Sequence, residues 1–436
     1  MATLLIIVFV VGYALIALEH PLKLDKAASA MLTGVCCWLV LAYGYDSMPA
    51  GAEATGNVSE ILDDSLFEHL GEIAGILFFL LGAMTIVELV DAHDGFRVIT
   101  DRITTTDRIK LLWIISWVSF FLSAGLDNMT TSIIMCALIR RLVKKQENVW
   151  LLGGFVIIAA NAGGAWSPIG DVTTIMLWIG GQVSTVNIMQ SLIIPSVISL
   201  LVPLLVASFF LRGKLETKDT SQENMNISRV LSPWEKQLMF VLGGVALLWV
   251  PVFKYFTHFP PYMGILMSVG VLWYVTEFLH RGKEEEVQRE FSVGAMLRRI
   301  DTTSILFFLG ILLAVGALDT SGHLELAANF LNESIGNIYL INTVIGLLSA
   351  IVDNVPLVAA AMGMYDLTTY GIDHPFWESL AYCAGTGGSI LIIGSAAGVA
   401  SMGILKIDFL WYMRNISLYA LIGYLSGIGV YYLLSQ

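Results

Sequence analysis

Runs of about twenty apolar residues, each long enough to cross a hydrocarbon core of about 30 Å, recur along this chain from its first residues to its last. Six are uninterrupted: Thr3 to Leu18, Ala28 to Gly44, Ile73 to Val90, Ile188 to Leu211, Lys236 to Phe256 and Tyr262 to Leu279. Ser304 to Leu318 and Leu410 to Leu434 add two more. Trp150 to Gly181 and Trp377 to Leu405 are interrupted by glycine-rich stretches, and each reads as one broken helix. The pattern predicts an all-α membrane protein of about ten transmembrane spans. A chain with 56% hydrophobic and 13% charged residues is too apolar for a soluble globular domain. The run from Thr3 lacks a basic flank and a small-residue cleavage site, so it reads as a retained span. Cys36, Cys37, Cys136 and Cys383 lie inside apolar stretches without metal-ligand or disulfide spacing and read as packing residues; no cofactor is expected.

Two long apolar segments, 110–143 and 336–370, each carry an Asp-Asn pair near the middle. The first is flanked by Arg102, Arg108 and Lys110 on one side and by Arg140, Arg141, Lys144 and Lys145 on the other. Both ends therefore belong in the cytoplasm, and the segment is short for two crossings, which predicts a re-entrant hairpin entering from inside. The second has no Lys or Arg near either end, as suits a hairpin entering from outside. With both termini outside, every basic residue of the 23 falls at an inner end except Lys254. The outer stretch Tyr45 to Glu72 holds Asp46, Glu53, Glu60, Asp63, Asp64, Glu68 and Glu72 and no base. It reads either as a plain translocated loop or as a cation-attracting vestibule.

The two halves repeat one another. Ile76-Leu77-Phe78-Phe79-Leu80 recurs as Ile305-Leu306-Phe307-Phe308-Leu309. Ser123-Ala124-Gly125-Leu126-Asp127-Asn128 recurs as Ser349-Ala350-Ile351-Val352-Asp353-Asn354. Asn161-Ala162-Gly163-Gly164 recurs as Gly385-Thr386-Gly387-Gly388. The offsets, 229, 226 and 224 residues, stay nearly constant. This predicts a first repeat over 1–211, with its hairpin at 110–143 and broken helix at 150–181, and a cytoplasmic linker over 212–235. A second repeat follows over 236–436, with hairpin 336–370 and broken helix 377–405. The charge-derived topology makes the copies inverted, an architecture that lets one site face either side of a membrane. That points to a transporter rather than an enzyme, and no nucleotide- or nucleic-acid-binding motif is present.

An ionised Asp in a bilayer interior is costly without a partner, so Asp127, Asp171 and Asp353 are candidate ion- and proton-binding residues. Asn128, Thr130 and Thr131 surround the first; Asn161, Ser167, Thr173 and Thr174 the second; Asn354 the third; Thr386, Ser389 and Ser395 complete the second copy. Carboxylates, amides, hydroxyls and freed carbonyls are hard ligands that suit a small alkali cation, with Asp127, Asn128, Asp171, Asp353 and Asn354 as the expected sodium contacts. The plainer reading is that each Asp caps the helix after it and that the hydroxyls pack between helices. His93 and Glu88, near an inner helix end, are interfacial or sense pH.

The segments Ser-Ala-Gly-Leu-Asp-Asn-Met-Thr-Thr from Ser123, Asn161-Ala162-Gly163-Gly164-Ala165-Trp166-Ser167-Pro168-Ile169-Gly170-Asp171 and Val352-Asp353-Asn354-Val355-Pro356 resemble the NhaD-type sodium/proton antiporters of the ion transporter superfamily. The resemblance extends over nearly the whole chain. It implies exchange of cytoplasmic Na+, often also Li+, for external H+, in a bacterial inner membrane, as a homodimer in the lipid bilayer. Related members carry dicarboxylates, citrate or arsenite, and the tips of the carboxylate carriers resemble Ser-Asn-Thr. Asp-Asn at both tips departs from that pattern and argues against an anionic substrate.

Overall fold

The apolar runs fold as helices in the computed structural model, which describes residues 1–436 other than 23, 53–56, 101–102, 104, 212, 214, 216–230 and 352; no β-strand occurs among the described residues. The principal helices are α1 (Ala2–Ala17), α2 (Lys26–Gly44), α3 (Val58–Ala92), α4 (Arg108–Leu126), α5 (Asn128–Leu142), α6 (Gln146–Ala165), α7 (Val172–Ile179), α8 (Thr185–Phe210) and α9 (Pro233–Thr257). They continue with α10 (Pro261–His280), α11 (Thr302–Thr320), α12 (His323–Ser334), α13 (Ile338–Leu348), α14 (Asn354–Met364), α15 (Pro375–Gly387), α16 (Ala396–Leu405), α17 (Phe409–Asn415) and α18 (Ser417–Leu434). Short polar side chains set many of the starts. Asp25, Asn57, Asp107 and Asp301 each accept an amide of the first turn that the helix itself leaves unpaired.

Among the described residues nine helices are long and apolar enough to cross a membrane, or ten if α16 and α17, bent by 115°, count as one. The protein is thus a multi-span helical membrane protein, with three differences from the expected set: the run Leu410 to Leu434, expected as one span, is divided at Ile416 into α17 and α18, and α1 and α4 depart in length. α1 has 16 residues, short of a full span, whereas α4 has 19 because the Asp107 cap starts it at Arg108. Length therefore no longer separates α4 from a complete crossing. α13 and α14, the arms of the second Asp-Asn segment, have 11 residues each, about 16 Å of helix, and are too short to cross.

The acidic stretch also differs from a loop. Asn57 caps a single 35-residue helix, α3, so the acids from Glu60 onward ride on its first turns. The linker 212–235 lies mostly outside the described residues. Its end belongs to α9, which begins at Pro233 behind a capping box formed by Ser232 and Glu235.

α6 is buried on all sides from Leu152 to Ala165, and α15 from Phe376 to Gly387, as helices that are apolar all round should be. Each is the first half of a broken helix. α6 and α7 are separated by 166–171, α15 and α16 by 388–395. The same contacts recur around both. Ser123 Oγ donates to Ala160 O (2.6 Å) and Ser349 Oγ to Ala384 O (2.9 Å). Gly163 lies against Phe120 O and Gly387 against Gly346 O, so closely that a Cβ would overlap the carbonyl. Gly170 meets Ser123 O as Gly394 meets Ser349 O. Each Asp-Asn segment is thereby pinned to the broken helix that follows it in the chain.

Candidate cation site

Asp171 ends the first break. It caps α7 by accepting Thr173 N at 3.2 Å, with extended backbone at φ −146. Ser395 caps α16 in the same way, with φ −147. The first break thus presents a carboxylate and the second a hydroxyl. Asp171 is 1% exposed, and both tip asparagines turn toward it. Asn128 Nδ2 donates to its Oδ2 at 3.0 Å, and Asn354 Nδ2 reaches Oδ2 at 3.4 Å and Oδ1 at 3.5 Å. Asn128 Nδ2 also donates to Asn161 Oδ1 (3.0 Å). Asn161 Nδ2 in turn donates to Ser389 Oγ and Ser395 Oγ, both at 2.9 Å. One buried network therefore joins α5, α6 and α7 to α14 and the 388–395 break.

The other candidates sit around this network. Asp127 holds φ +117, a region that costs a non-glycine residue about 1–3 kcal/mol. Its carboxylate accepts Thr130 N at 2.7 Å and Thr130 Oγ1 at 2.8 Å. Asp353 accepts Val355 N at a long 3.4 Å, and its Oδ2 faces Lys26 Nζ at 3.6 Å. Neither carboxylate bonds to Asp171, but both lie within coulombic reach of it. Ser167 Oγ donates to Ala124 O (2.6 Å), and Thr386 Oγ1 to Tyr382 O one turn back on its own helix (2.5 Å), so both hydroxyls secure backbone. Thr174 Oγ1 likewise donates to Asp171 O. Thr131 Oγ1 is buried with no hydrogen-bond partner among the described residues. The carboxylate, amide and hydroxyl groups joined in this network carry the oxygen types that suit a small hard cation.

Sequence reasoning missed two features. Lys26 is one; Gly385 is the other, where a Cβ would stand 3.2 Å from Asp171 Oδ2, so the absent side chain leaves the carboxylate its room. A cavity of about 570 Å³ is lined in part by Glu68, His69, Glu72 and Asp319. Its lining includes Met176 of α7 and Ala359 of α14, the helices whose first residues adjoin Asp171 and Asp353. Lys254, the basic residue that broke the charge pattern, is consumed inside the protein. Its ammonium donates to Trp178 O near the end of α7 (2.5 Å), where a cation opposes the helix dipole, and lies 4.6 Å from the Trp178 ring centre.

His93, one residue beyond α3, is fully buried. Its Nδ1 pairs with Leu89 O at 2.7 Å, and its Nε2 lies 2.9 Å from His280 Nε2. Glu88 is half-buried on α3. Burial, together with His280 and Lys283, pushes the His93 imidazole from 6.5 down to about 4, against the opposing effects of its Leu89 bond and of Glu235. A base that binds protons more weakly when folded contributes stability above about pH 6.5, lost as pH falls toward 4. The melting midpoint in detergent is expected to drop across that window, and His93→Gln to remove part of the drop.

The sequence profile of a family described as citrate transporter matches residues 13–385. Sodium/proton antiporter 1 of Arabidopsis thaliana is 50% identical over 98% of this chain and 71% of its own length. Sodium/proton antiporter 2 of the same plant is 45% identical over 98% of both. The Na(+)/H(+) antiporter NhaD of Vibrio cholerae is 32% identical over 99% of this chain and 91% of its own. Near-complete coverage at these identities places the chain in the citrate transporter family, as a member of its NhaD-type branch.

Proposed function

We propose that the protein is a secondary active antiporter that exchanges cytoplasmic Na+, and Li+, for external H+. The observation that carries this reading is the convergence of both tip asparagines on the buried Asp171. A carboxylate in an apolar interior is neutralised by a proton or by a cation, and the same oxygens cannot serve both at once. Binding one expels the other. The names of the relatives support the same two ions.

Alternating access would follow from two inverted repeats, 1–211 and 236–436, joined by a cytoplasmic linker over 212–235. In that arrangement the hairpin 110–143 enters from inside and 336–370 from outside. The paired serine and glycine contacts support the duplication. The cavity bearing Glu68, Glu72 and Asp319 serves as a vestibule that concentrates cations on one side of Asp171. Exposed Val245, Leu248, Tyr255 and Phe256 on α9 face lipid or a second copy in a homodimer. A bacterial inner membrane is the location proposed for it, on the likeness to the bacterial NhaD relative; the Arabidopsis relatives are plant proteins.

The family description favours one second reading, a sodium-coupled carrier of citrate or another anion. Three acidic side chains around the site oppose it, because they repel an anion. Proteoliposomes separate the two. Sodium or lithium is expected to drive proton movement in the absence of any carboxylate substrate, and Asp127→Asn or Asp353→Asn to impair it. Citrate-stimulated sodium uptake without proton movement would favour the carrier instead.

A further inference from the structure

The two tips differ in one detail that changes the chemistry at Asp353. Three residues after Asp127 comes Thr130, which supplies both an amide and a hydroxyl to the carboxylate. Three residues after Asp353 comes Pro356, which has neither. Among the described residues Asp353 therefore keeps only the long backbone bond from Val355 N, and its other oxygen is open to a partner from elsewhere. That partner is Lys26, the first residue of α2, whose ammonium stands 3.6 Å from Oδ2. The side chains of Lys26 and Asp353 are only 19% and 15% exposed. Lys26 Nζ also lies 4.6 Å from the centre of the Phe307 ring on α11, a contact that favours a cation there. The Tyr13 hydroxyl of α1, within coulombic reach of Asp353, is buried with no hydrogen-bond partner among the described residues.

We infer that Lys26 is a tethered stand-in for the transported cation: its ammonium occupies the Asp353 carboxylate when sodium is absent and must leave it for sodium to bind there. The inference rests on the reading of this site as the sodium site. A compact ammonium on a flexible stem suits the role, because it neutralises the carboxylate without fixing it in a bidentate fork. The tether keeps its local concentration high, so it competes with sodium on every cycle.

The test is the sodium dependence of proton movement in proteoliposomes at alkaline pH, for the full chain and for Lys26→Met, Lys26→Gln and Lys26→Arg. Removing the competitor is expected to lower the sodium KM of K26M and K26Q about threefold to tenfold, the range for a partly screened charge near 4 Å. K26R, which keeps the charge, is expected to return the KM toward that of the unaltered chain. A bond that merely held the fold would, when lost, raise the KM or reduce the maximal rate. An unchanged or raised KM in whichever of K26M and K26Q folds overturns the inference while leaving sodium/proton exchange intact. Absence of sodium-driven proton movement in the unaltered chain overturns the functional reading itself.

Discussion

Asp171→Ser is expected to abolish sodium-driven proton movement while leaving the helix start it caps in place. The second copy contains the control: Ser395 occupies the equivalent position, with nearly the same backbone geometry, and caps α16 through Gly398 N. A serine at 171 can therefore supply the cap that Asp171 gives Thr173 N, and what is lost is the charge. That charge holds Asn128 at 3.0 Å and draws Asn354 to 3.4 Å. A bond to a charged group contributes about 1.5–3 kcal/mol, so losing the carboxylate should weaken cation binding about 10- to 150-fold. Asp171→Asn gives the same loss by another route. One of its two terminal atoms becomes an NH2 facing the amide donors of Asn128 and Asn354. Proteoliposome exchange and the melting midpoint, measured together, separate the charge from the cap: near-normal exchange in D171S with an intact fold would show that the carboxylate is dispensable.

The sequence carried the helices, the two breaks and the polar cluster because each depends on local pattern. Glycine-rich interruptions at 161–170 and 385–394 mark where backbone must come close to backbone, and the glycines do meet carbonyls there. The pairing of Asn161 with Ser389 and Ser395 was not legible, because the sequence reading placed Asn161 around Asp171 and the serines in a separate group, and no spacing rule shows that they bond. Lys26 was hidden by its distance along the chain and by charge counting, which assigned it to an inner loop. The signal was nevertheless present: Pro356, where the first copy has Thr130, leaves Asp353 without a local partner. The helical acidic stretch was hidden for a different reason. Charged residues end an apolar run, but they do not end a helix, and the Asn57 cap extends α3 well before its apolar part begins. Lys254 looked like an exception to membrane topology because counting cannot tell a solvated lysine from one bonded to the end of α7.

The glycines at the crossings supply the second large effect. Gly163→Ala and Gly387→Ala each insert a methyl group onto a backbone carbonyl, Phe120 O in one copy and Gly346 O in the other, at separations that side chains do not tolerate. A carbonyl within a helix cannot swing aside as a long side chain can, so the Asp-Asn segment must move away from its broken helix. Overpacking of this kind costs about 1–3 kcal/mol, and more where backbone has to shift. The displacement also moves Asn128 or Asn354 away from Asp171, across distances of 3.0 and 3.4 Å with little slack. Both variants are therefore expected to melt earlier in detergent and to lose most of their exchange. Gly429→Ala on α18 is the matched control, because nothing lies within 4 Å of its added methyl. There the helix should gain about 0.5–1 kcal/mol from the lost glycine flexibility, and exchange should be unchanged. If only one crossing glycine proved sensitive, the two copies would not be pinned to their broken helices by equivalent contacts, and the pairing of their conformations would lose its structural basis.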